Sequence, residues 1–351
     1  FKSMNEYENK KSNPFTLSFG KKPFEYIGRE DSKKELIGQI SSDPATSNCY
    51  VITGVRGSGK TVMLTAVSKY FETDKDWIVI DLNPEDDLRE GLAAKLYTEA
   101  KIKHLFMEKS FSVSFHGVSF SLSGKNPIYN IDDLLEKMLE EIKRQGKKVL
   151  VTIDEATNNT PMKQFALSFQ SLIRKEIPIV LLVTSLYENI SALENKKKMI
   201  FLSPLSIQAI TNSYESKLGL KYEEALKCAK LTKGYAFAFQ LLGYLMFNKN
   251  KKEADKEVLS SYDQYLEEFA YAKIWSTLSE VERKIVISLQ TNASIGVSTI
   301  LERTNMKKEY FSRYRDRLIK KGIFLSPARG KLMFALPRFK EFIDVETAYD
   351  F

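Results

Sequence analysis

Gly54-Val55-Arg56-Gly57-Ser58-Gly59-Lys60-Thr61 fits the pattern G-x-x-x-x-G-K-[ST] in full. An apolar run, Cys49–Thr53, comes directly before this stretch, and residues 62–70 continue after it with the spacing of a helix. The glycines allow consecutive backbone N–H groups to turn inward at the start of that helix, where the helix dipole favours an anion. The stretch therefore predicts a phosphate-binding loop (P-loop) between a strand and a helix.

The P-loop predicts a nucleotide site that holds ATP or ADP together with Mg²⁺. Lys60 would supply a positive charge for the β- and γ-phosphates, and Thr61 an oxygen ligand for the metal. The residues of this stretch that are predicted to contact the nucleotide are Gly54, Arg56, Gly57, Ser58, Gly59, Lys60, Thr61 and Val62.

A second part of the site is predicted at residues 149–155 (VLVTIDE), an apolar run that ends in Asp154 and Glu155. Such a run is typical of a strand buried on both faces, and parallel sheets bind ligands at the carboxyl ends of their strands. We expect Asp154 to bind the metal and Glu155 to orient or deprotonate the attacking water.

Thr184 ends the next apolar run along the chain. Its hydroxyl could bond the γ-phosphate or the attacking water, or it could cap the helix that follows. The sequence leaves both interpretations open.

Apolar runs alternate with amphipathic ones over the first half of the chain, which is typical of a parallel sheet covered by helices. We predict an α/β P-loop NTPase domain over residues 14–203, with a five-stranded parallel sheet and helices on both faces. Residues 111–122 (FSVSFHGVSFSL) alternate strictly and predict an inserted β-hairpin. The candidate strands are Cys49–Thr53, Trp77–Leu82, Lys148–Ile153, 178–184 and 199–202.

The strands disappear after Pro204. Residues 204–275, here called the helical region, predict a helical block. Residues 276–351, the C-terminal region, predict three helices followed by a short hairpin, which is the outline of a winged helix-turn-helix. Ser279 and Glu282 have the spacing of a capping box at the first of these helices.

Basic side chains are concentrated in the C-terminal region, at residues 307–321 (KKEYFSRYRDRLIKK). Apolar residues within this helix can pack inward and leave the cations for the phosphates and base edges of duplex DNA. A winged helix that contacts protein instead of DNA is the alternative, and both stay open. The predicted DNA contacts are Arg313, Arg315 and Arg317 in the helix, and Arg329 and Lys331 in the hairpin.

The composition excludes several classes of protein. The 351 residues carry 53 Lys and Arg against 45 Asp and Glu, a net charge of +8 that permits a polyanionic partner without requiring one. Two cysteines far apart in sequence exclude a disulfide scaffold and a cysteine metal site. The first twenty residues lack the apolar core of a signal peptide, and no apolar run approaches the roughly 20 residues of a membrane span. We therefore expect a cytoplasmic protein without a membrane partner.

The chain resembles the AAA+ and STAND group of P-loop ATPases, most closely the bacterial and archaeal ATPases related to the origin-recognition initiators. The resemblance extends over about residues 14–340, and its marks are residues 23–30 (PFEYIGRE), the P-loop, the acidic pair, residues 202–205 (LSPL) and the C-terminal winged helix. It implies that Tyr26 and Ile27 lie beside the adenine. It also implies that the helical region is a lid and that nucleotide state reorients the lid and the winged helix.

Two features depart from that group. Residues 234–240 lack both the arginine with which AAA+ lids touch the γ-phosphate and the Gly-x-Pro often found in the STAND group. The nearest cation is Lys233, which we expect to be a surface lysine. Arg174 is the candidate for an arginine finger, and without a finger turnover is expected to be slow, because such a residue is worth about 10³–10⁵ in rate.

The sequence thus predicts an Mg²⁺-ATP-dependent molecular switch. One alternative is an ATP-binding module that hydrolyses little and signals by forming a homo-oligomer or by docking a partner protein. A second alternative is a DNA-binding regulator whose nucleotide binding is vestigial.

Overall fold

The computed structural model describes residues 12–19, 22–43, 46–107, 111–112, 121–122, 130–189, 191–193 and 197–348. The helices are α1 (Glu30–Ser41), α2 (Lys60–Glu72), α3 (Leu88–Thr98), α4 (Lys103–Met107), α5 (Ile131–Arg144), α6 (Thr160–Arg174), α7 (Ile207–Leu218), α8 (Tyr222–Thr232), α9 (Ala236–Asn248), α10 (Lys256–Leu266), α11 (Ala272–Ser276), α12 (Glu280–Ser288), α13 (Val297–Thr304), α14 (Lys308–Lys320) and α15 (Phe339–Thr347). The strands are β1 (Cys49–Thr53), β2 (Trp77–Leu82), β3 (Phe111–Ser112), β4 (Ser121–Leu122), β5 (Lys148–Ile153), β6 (Ile179–Ser185), β7 (Lys197–Phe201), β8 (Ile295–Gly296), β9 (Phe324–Leu325) and β10 (Lys331–Phe334).

The chain forms two compact units. The sheet unit consists of residues 29–54 and 60–202, and the helical unit consists of residues up to Gly28, Val55–Gly59 and the chain from Ser203 onward. The central part of the P-loop therefore belongs to the helical unit, whereas Gly54 and Lys60 belong to the sheet unit. The domain boundaries expected from the sequence stay a prediction.

The sheet unit contains a five-stranded sheet in the order β2–β5–β6–β1–β7, and every pair of neighbouring strands is parallel. Strands β1, β2 and β5 have the predicted bounds, and β6 and β7 differ from the prediction by one or two residues at each end. The predicted five-stranded parallel sheet is confirmed.

Helices cover both faces of this sheet, as predicted. Alternate side chains of a strand point to opposite faces, and β1 shows the result. Tyr50 and Ile52 share one hydrophobic cluster with residues of α1 and α2. Cys49 and Val51 share a second cluster with residues of α3, α4, α5 and α6. The sheet is thus buried on both sides, which explains why its central strands are nearly unbroken apolar runs.

The predicted hairpin at residues 111–122 is described only at its ends. Strands β3 and β4 pair antiparallel there, with Phe111 opposite Leu122 and Ser112 opposite Ser121. Its centre lies outside the described residues.

The helical unit has one hydrophobic cluster that includes side chains from the N-terminal segment, the helical region and the C-terminal region, among them Phe15, Tyr262 and Phe334. In the helical region, a π-helical turn, Glu267–Tyr271, connects α10 to α11. In the C-terminal region, β8, β10 and β9 form an antiparallel sheet beside α12, α13 and α14.

The N-terminal segment, residues 12–28, packs on the helical region. Phe15 is 2% exposed, and its ring lies edge-on to the rings of Tyr214 and Phe239 at centroid distances of 5.9 and 5.6 Å. The Thr16 N–H donates to Oε1 of Gln240 at 3.0 Å. A phenylalanine at the core of this unit therefore comes from a segment that precedes the P-loop in sequence.

Lys233 is not the surface lysine that the sequence suggested. Its Nζ donates to the backbone oxygens of Phe334 at 2.9 Å and Asn292 at 3.5 Å, both in the C-terminal region. Burial lowers the pKa of this ammonium group, and the nearby Glu341 carboxylate opposes that shift. The left-handed backbone at Lys233 (φ 50°) ends α8 and aims the side chain at the C-terminal region.

The predicted capping box at the start of α12 is present, with the Glu282 N–H donating to Oγ of Ser279 and the Ser279 N–H donating to Oε2 of Glu282. Lys321 also binds this glutamate, with 3.0 Å between its Nζ and Oε1 of Glu282, and both side chains are buried. Lys321 is therefore not part of the exposed basic surface that its place in the sequence suggested.

Gly234 occupies a position that only glycine fits. Its φ is +75°, and an added Cβ would lie 2.5 Å from the backbone oxygen of Leu205. We expect Gly234→Ala to lower the free energy of unfolding by about 3 kcal/mol or more. The cost of a left-handed backbone at alanine is added to the cost of the clash between its Cβ and the Leu205 oxygen. Gly330→Ala is the matched control, because its φ is +73° and an added Cβ would meet nothing within 4 Å.

Urea unfolding of the two variants measures this difference. Gly330→Ala is expected to lose only about 1 kcal/mol, the cost of the left-handed backbone alone. Equal losses in the two variants would show that the contact between Gly234 and Leu205 is not tight in solution.

Candidate functional site

The tip of the P-loop has the backbone shape of an anion-binding nest. In the helical unit, φ is +79° at Gly57 and +94° at Gly59, whereas Ser58 between them does not have a positive φ. Alternation of left- and right-handed residues makes successive N–H groups converge on one point. The predicted cradle of amides is therefore consistent with the geometry of these three residues.

In the sheet unit, the end of the P-loop meets the acidic strand. The Thr61 hydroxyl donates to Asp154, with 2.9 Å between Oγ1 and Oδ2 and 3.1 Å between Oγ1 and Oδ1. Lys60 begins α2, and its Nζ donates to the backbone oxygen of Gly54 at 2.9 Å. The threonine and the aspartate that were predicted to share a metal are thus in direct contact.

Thr184 fixes the acidic pair in place. Its hydroxyl donates to Oδ1 of Asp154 and accepts the N–H of Glu155 at 2.8 Å. Strand β6 lies between β1 and β5, so Thr184 stands between the strand before the P-loop and the strand that ends at Asp154. Among the described residues this hydroxyl thus contacts the acidic pair, and its bond to the γ-phosphate or to the attacking water stays a prediction.

Glu155 is exposed and adopts a left-handed backbone, with φ 55°. Non-glycine residues hold this conformation at a cost of about 1–3 kcal/mol, and such residues cluster at functional sites. The chain leaves β5 abruptly here, because the N–H groups of Glu155 and Ala156 are both bound to Thr184.

The side chains near Thr61 fit Mg²⁺. Carboxylate and hydroxyl oxygens are the hard donors that this ion takes, and Thr61 and Asp154 supply both kinds. In the part of the chain that the structure describes, no group of three or more His, Cys, Asp or Glu residues could hold a metal. A magnesium ion at Thr61 and Asp154 would therefore need further oxygens from phosphates and water, which is its usual environment.

The side chain of Arg56 binds within the helical unit. Its Nε donates to the backbone oxygen of Phe269 at 3.1 Å, and its guanidinium lies 4.5 Å above the centre of the Phe19 ring. The Tyr235 hydroxyl donates to the backbone oxygen of Arg56, and the Phe237 N–H donates to that of Gly57 at 3.0 Å. A nucleotide contact by Arg56 is thus left to its backbone N–H. No spacing or motif in the sequence indicates these four aromatic partners.

The structure describes three other predicted nucleotide contacts, Tyr26, Ile27 and Val62, but it does not test whether they touch the nucleotide. Their roles stay predictions. Ile27 is half-buried and packs against the core of the helical unit. The ammonium group of Lys22 lies 4.4 Å above the centre of the Tyr26 ring. Val62 is half-buried in the first turn of α2, within the sheet unit.

Arg174 is exposed in the last turn of α6, and β6 begins a few residues later at Ile179. It therefore lies at the amino edge of the sheet, whereas Asp154 lies at the carboxyl edge. Within one subunit Arg174 is at the wrong end of the sheet for an arginine finger. A role toward a neighbouring subunit stays a prediction.

The predicted DNA contacts of the C-terminal region differ in exposure, and their role stays a prediction. Arg313 and Arg317 are exposed on α14, while Phe311 and Leu318 of the same helix are buried. Arg315 is half-buried and forms an ion pair with Asp316, at 2.9 Å. Two further cations, Arg329 and Lys331, are exposed in and after the turn between β9 and β10.

A family model described as a domain of unknown function (DUF8462) matches residues 268–343. No curated protein matches the sequence. Among the described residues, no helix has the length and apolar character needed to cross a membrane.

Several solved structures are similar to the chain. The Aeropyrum pernix ORC1 protein, in complex with DNA, is 14% identical with a TM-score of 0.42, over 95% of each chain. A signal transduction ATPase with numerous domains (STAND) from Pyrococcus horikoshii is 17% identical with a TM-score of 0.41, and the similarity covers 91% of this chain but 42% of that one. Domain III of the Thermotoga maritima DnaA protein is 14% identical with a TM-score of 0.35, over 70% of this chain and 94% of the other. At such identities and TM-scores, no activity follows from these similarities.

Proposed function

We propose that this protein is a nucleotide-dependent switch that binds ATP or ADP with Mg²⁺ and hydrolyses ATP slowly. The observation that supports it most is the hydrogen-bonded group formed by Thr61, Asp154 and Thr184 at the carboxyl edge of the sheet. A P-loop threonine bound to a strand-end aspartate is the arrangement in which a magnesium nucleotide is held by P-loop enzymes.

Each residue of the group has a role in this proposal. Lys60 and the amides of the P-loop bind the phosphates, and the Thr61 and Asp154 oxygens hold the metal, which would neutralise charge on the phosphates. Glu155 orients the attacking water and accepts its proton. Thr184 keeps the two acidic residues in place through its hydroxyl.

Slow turnover is part of the proposal. The sequence contains no arginine between residues 204 and 275, and Arg174 stands at the opposite edge of the sheet. Neither of the two sources expected from the sequence therefore supplies an arginine to the transition state within one subunit, and such a residue contributes about 10³–10⁵ in rate. The helical region would act as the lid, and nucleotide exchange would reset its position and that of the C-terminal region.

Fluorescent nucleotide binding and phosphate release test this function directly. The proposal expects binding of both ATP and ADP that weakens when EDTA removes the metal, together with slow release of phosphate from ATP. Binding without any release would favour the alternative, an ATP-binding module that signals by oligomerising or by docking a partner. Absence of nucleotide binding would overturn the proposal.

Duplex DNA is a second proposed ligand, and exposed Arg313, Arg317, Arg329 and Lys331 favour it. We expect the triple variant Arg313→Glu, Arg315→Glu, Arg317→Glu to weaken duplex binding strongly. It should also reduce the slope of log affinity against log salt by up to about 3, since each lost phosphate contact removes about 0.9.

The matched control for this DNA experiment changes three exposed lysines of the helical region, Lys221, Lys230 and Lys256, to glutamate. Both variants shift the net charge equally, so only a local contact distinguishes them. Equal effects in a salt titration would point to general charge attraction. If both variants bind duplex DNA with the wild-type affinity, the result would favour a C-terminal region that contacts protein instead of DNA. Duplex affinity that does not respond to ATP would favour a DNA-binding regulator whose nucleotide binding is vestigial.

A further inference from the structure

The central part of the P-loop, Val55–Gly59, is held by the helical region through contacts that lie within the helical unit. Two backbone oxygens of the loop accept hydrogen bonds, one from the Tyr235 hydroxyl and one from the Phe237 N–H. The Arg56 side chain in turn donates to the backbone oxygen of Phe269. The loop is therefore fixed on its carbonyl side.

The fit between the loop and the helical region is close. An added Cβ at Gly57 would lie 2.6 Å from the Tyr235 hydroxyl oxygen and 2.8 Å from Cβ of Phe237. Glycine is therefore needed at this position for two reasons, the positive φ and the approach of these two residues. Both contacts use carbonyl oxygens of the loop, so neither of them occupies an amide that would face a phosphate.

We propose that Tyr235 is a positioning residue that braces the P-loop, and that the helical region senses nucleotide through the loop backbone instead of through a cation on the γ-phosphate. This inference rests on the proposed nucleotide site. The helical region has no arginine that could touch the γ-phosphate, since residues 204–275 contain none. The nearest lysine, Lys233, has its ammonium group bound to Phe334 and Asn292.

The brace predicts a particular nucleotide dependence. P-loop amides cradle the α- and β-phosphates, which ATP and ADP share. Loosening the loop therefore lowers affinity for both nucleotides by the same factor. A residue that touched the γ-phosphate would affect ATP alone.

The same segment is also joined to the C-terminal region. Lys233 precedes Tyr235 by two residues and binds backbone oxygens of that region. On the other side of the loop, an added Cβ at Gly322 would lie 3.2 Å from Cγ1 of Val55. A shift of the loop backbone on nucleotide binding would therefore move the C-terminal region through two contacts, the one made by Lys233 and the one between Val55 and Gly322.

The variant Tyr235→Phe tests the brace, because it removes one hydroxyl and keeps the buried ring. Tyr262→Phe is the matched control, since this buried hydroxyl donates to the backbone oxygen of Leu231, away from the P-loop. Arg56→Met tests the brace from the loop side without altering the core of the helical region.

Two measurements are made on the full-length protein. The first is hydrogen–deuterium exchange of residues 55–59 without nucleotide, which we expect to be about threefold to tenfold faster in Tyr235→Phe and Arg56→Met than in wild type. The second is the affinity for fluorescent ATP and ADP, which we expect to fall for both nucleotides by a similar factor. Tyr262→Phe is expected to match wild type in both measurements.

Unchanged exchange of residues 55–59 in Tyr235→Phe would overturn the brace. So would a loss confined to ATP, an increase in affinity, or equal effects in Tyr262→Phe. If wild type binds no nucleotide but exchange of the loop still rises in Tyr235→Phe, the brace stands and the proposed function fails.

Discussion

Glu155→Gln is expected to reduce phosphate release by about 100-fold or more while affinity for ATP stays within about twofold of wild type. The amide has the size of the carboxylate but cannot take a proton from water, and a general base contributes about 10²–10⁴ to the rate. The backbone contact to Thr184 is made by the N–H and is kept in the variant. Single-turnover phosphate release at saturating Mg²⁺-ATP is the measurement.

Glu176→Gln is the control for the Glu155 variant. Glu176 is also an exposed glutamate of the sheet unit with a left-handed backbone (φ 56°), but it lies just before β6, at the amino edge of the sheet. It should release phosphate at the wild-type rate. If Glu155→Gln releases phosphate at the wild-type rate, another group must accept the proton of the attacking water. That result would contradict the proposed role of Glu155.

Lys60→Met is expected to weaken binding of ATP and ADP by about 10- to 150-fold. It removes a charged donor to phosphate, and hydrogen bonds to charged groups are worth about 1.5–3 kcal/mol. Fold stability should change little, because the bond from Nζ to the backbone oxygen of Gly54 is a single part-buried contact, worth about 1 kcal/mol. Titration with fluorescent nucleotides measures the affinity, and thermal unfolding checks the fold.

Lys69→Met is the matched control, because Lys69 is exposed in the last turn of the same helix, α2. It should bind nucleotide as wild type does. If both lysine variants bind equally well, a contact between Lys60 and the phosphates is excluded.

The sheet and its acidic edge could be predicted from the sequence because both depend on local patterns. A strand buried on both faces must be an apolar run, and the charged pair that ends β5 marks where the chain leaves the sheet. The contact between Thr61 and Asp154 follows from this, since parallel strands end at the same edge.

The contacts of the P-loop with the helical region could not be predicted in this way. Tyr235 and Arg56 are far apart in the chain, and the pattern around Tyr235 is simply that of buried helix core. Lys233 was misjudged for a similar reason, because its left-handed backbone turns the side chain away from solvent. Each depends on packing between segments that no local spacing reveals.

The π-helical turn at Glu267–Tyr271, which supplies the oxygen that binds Arg56, has a consequence for how this protein can vary. Such a turn holds one residue more than an α-helical turn. Because the extra residue is absorbed within this one turn, deleting it would restore a regular helix and leave the helix that follows nearly in phase, but it would remove the wide turn that presents the Phe269 oxygen. We therefore expect related chains that keep an arginine at the position of Arg56 to keep the extra residue as well, whereas chains without that arginine can lose it and retain the fold.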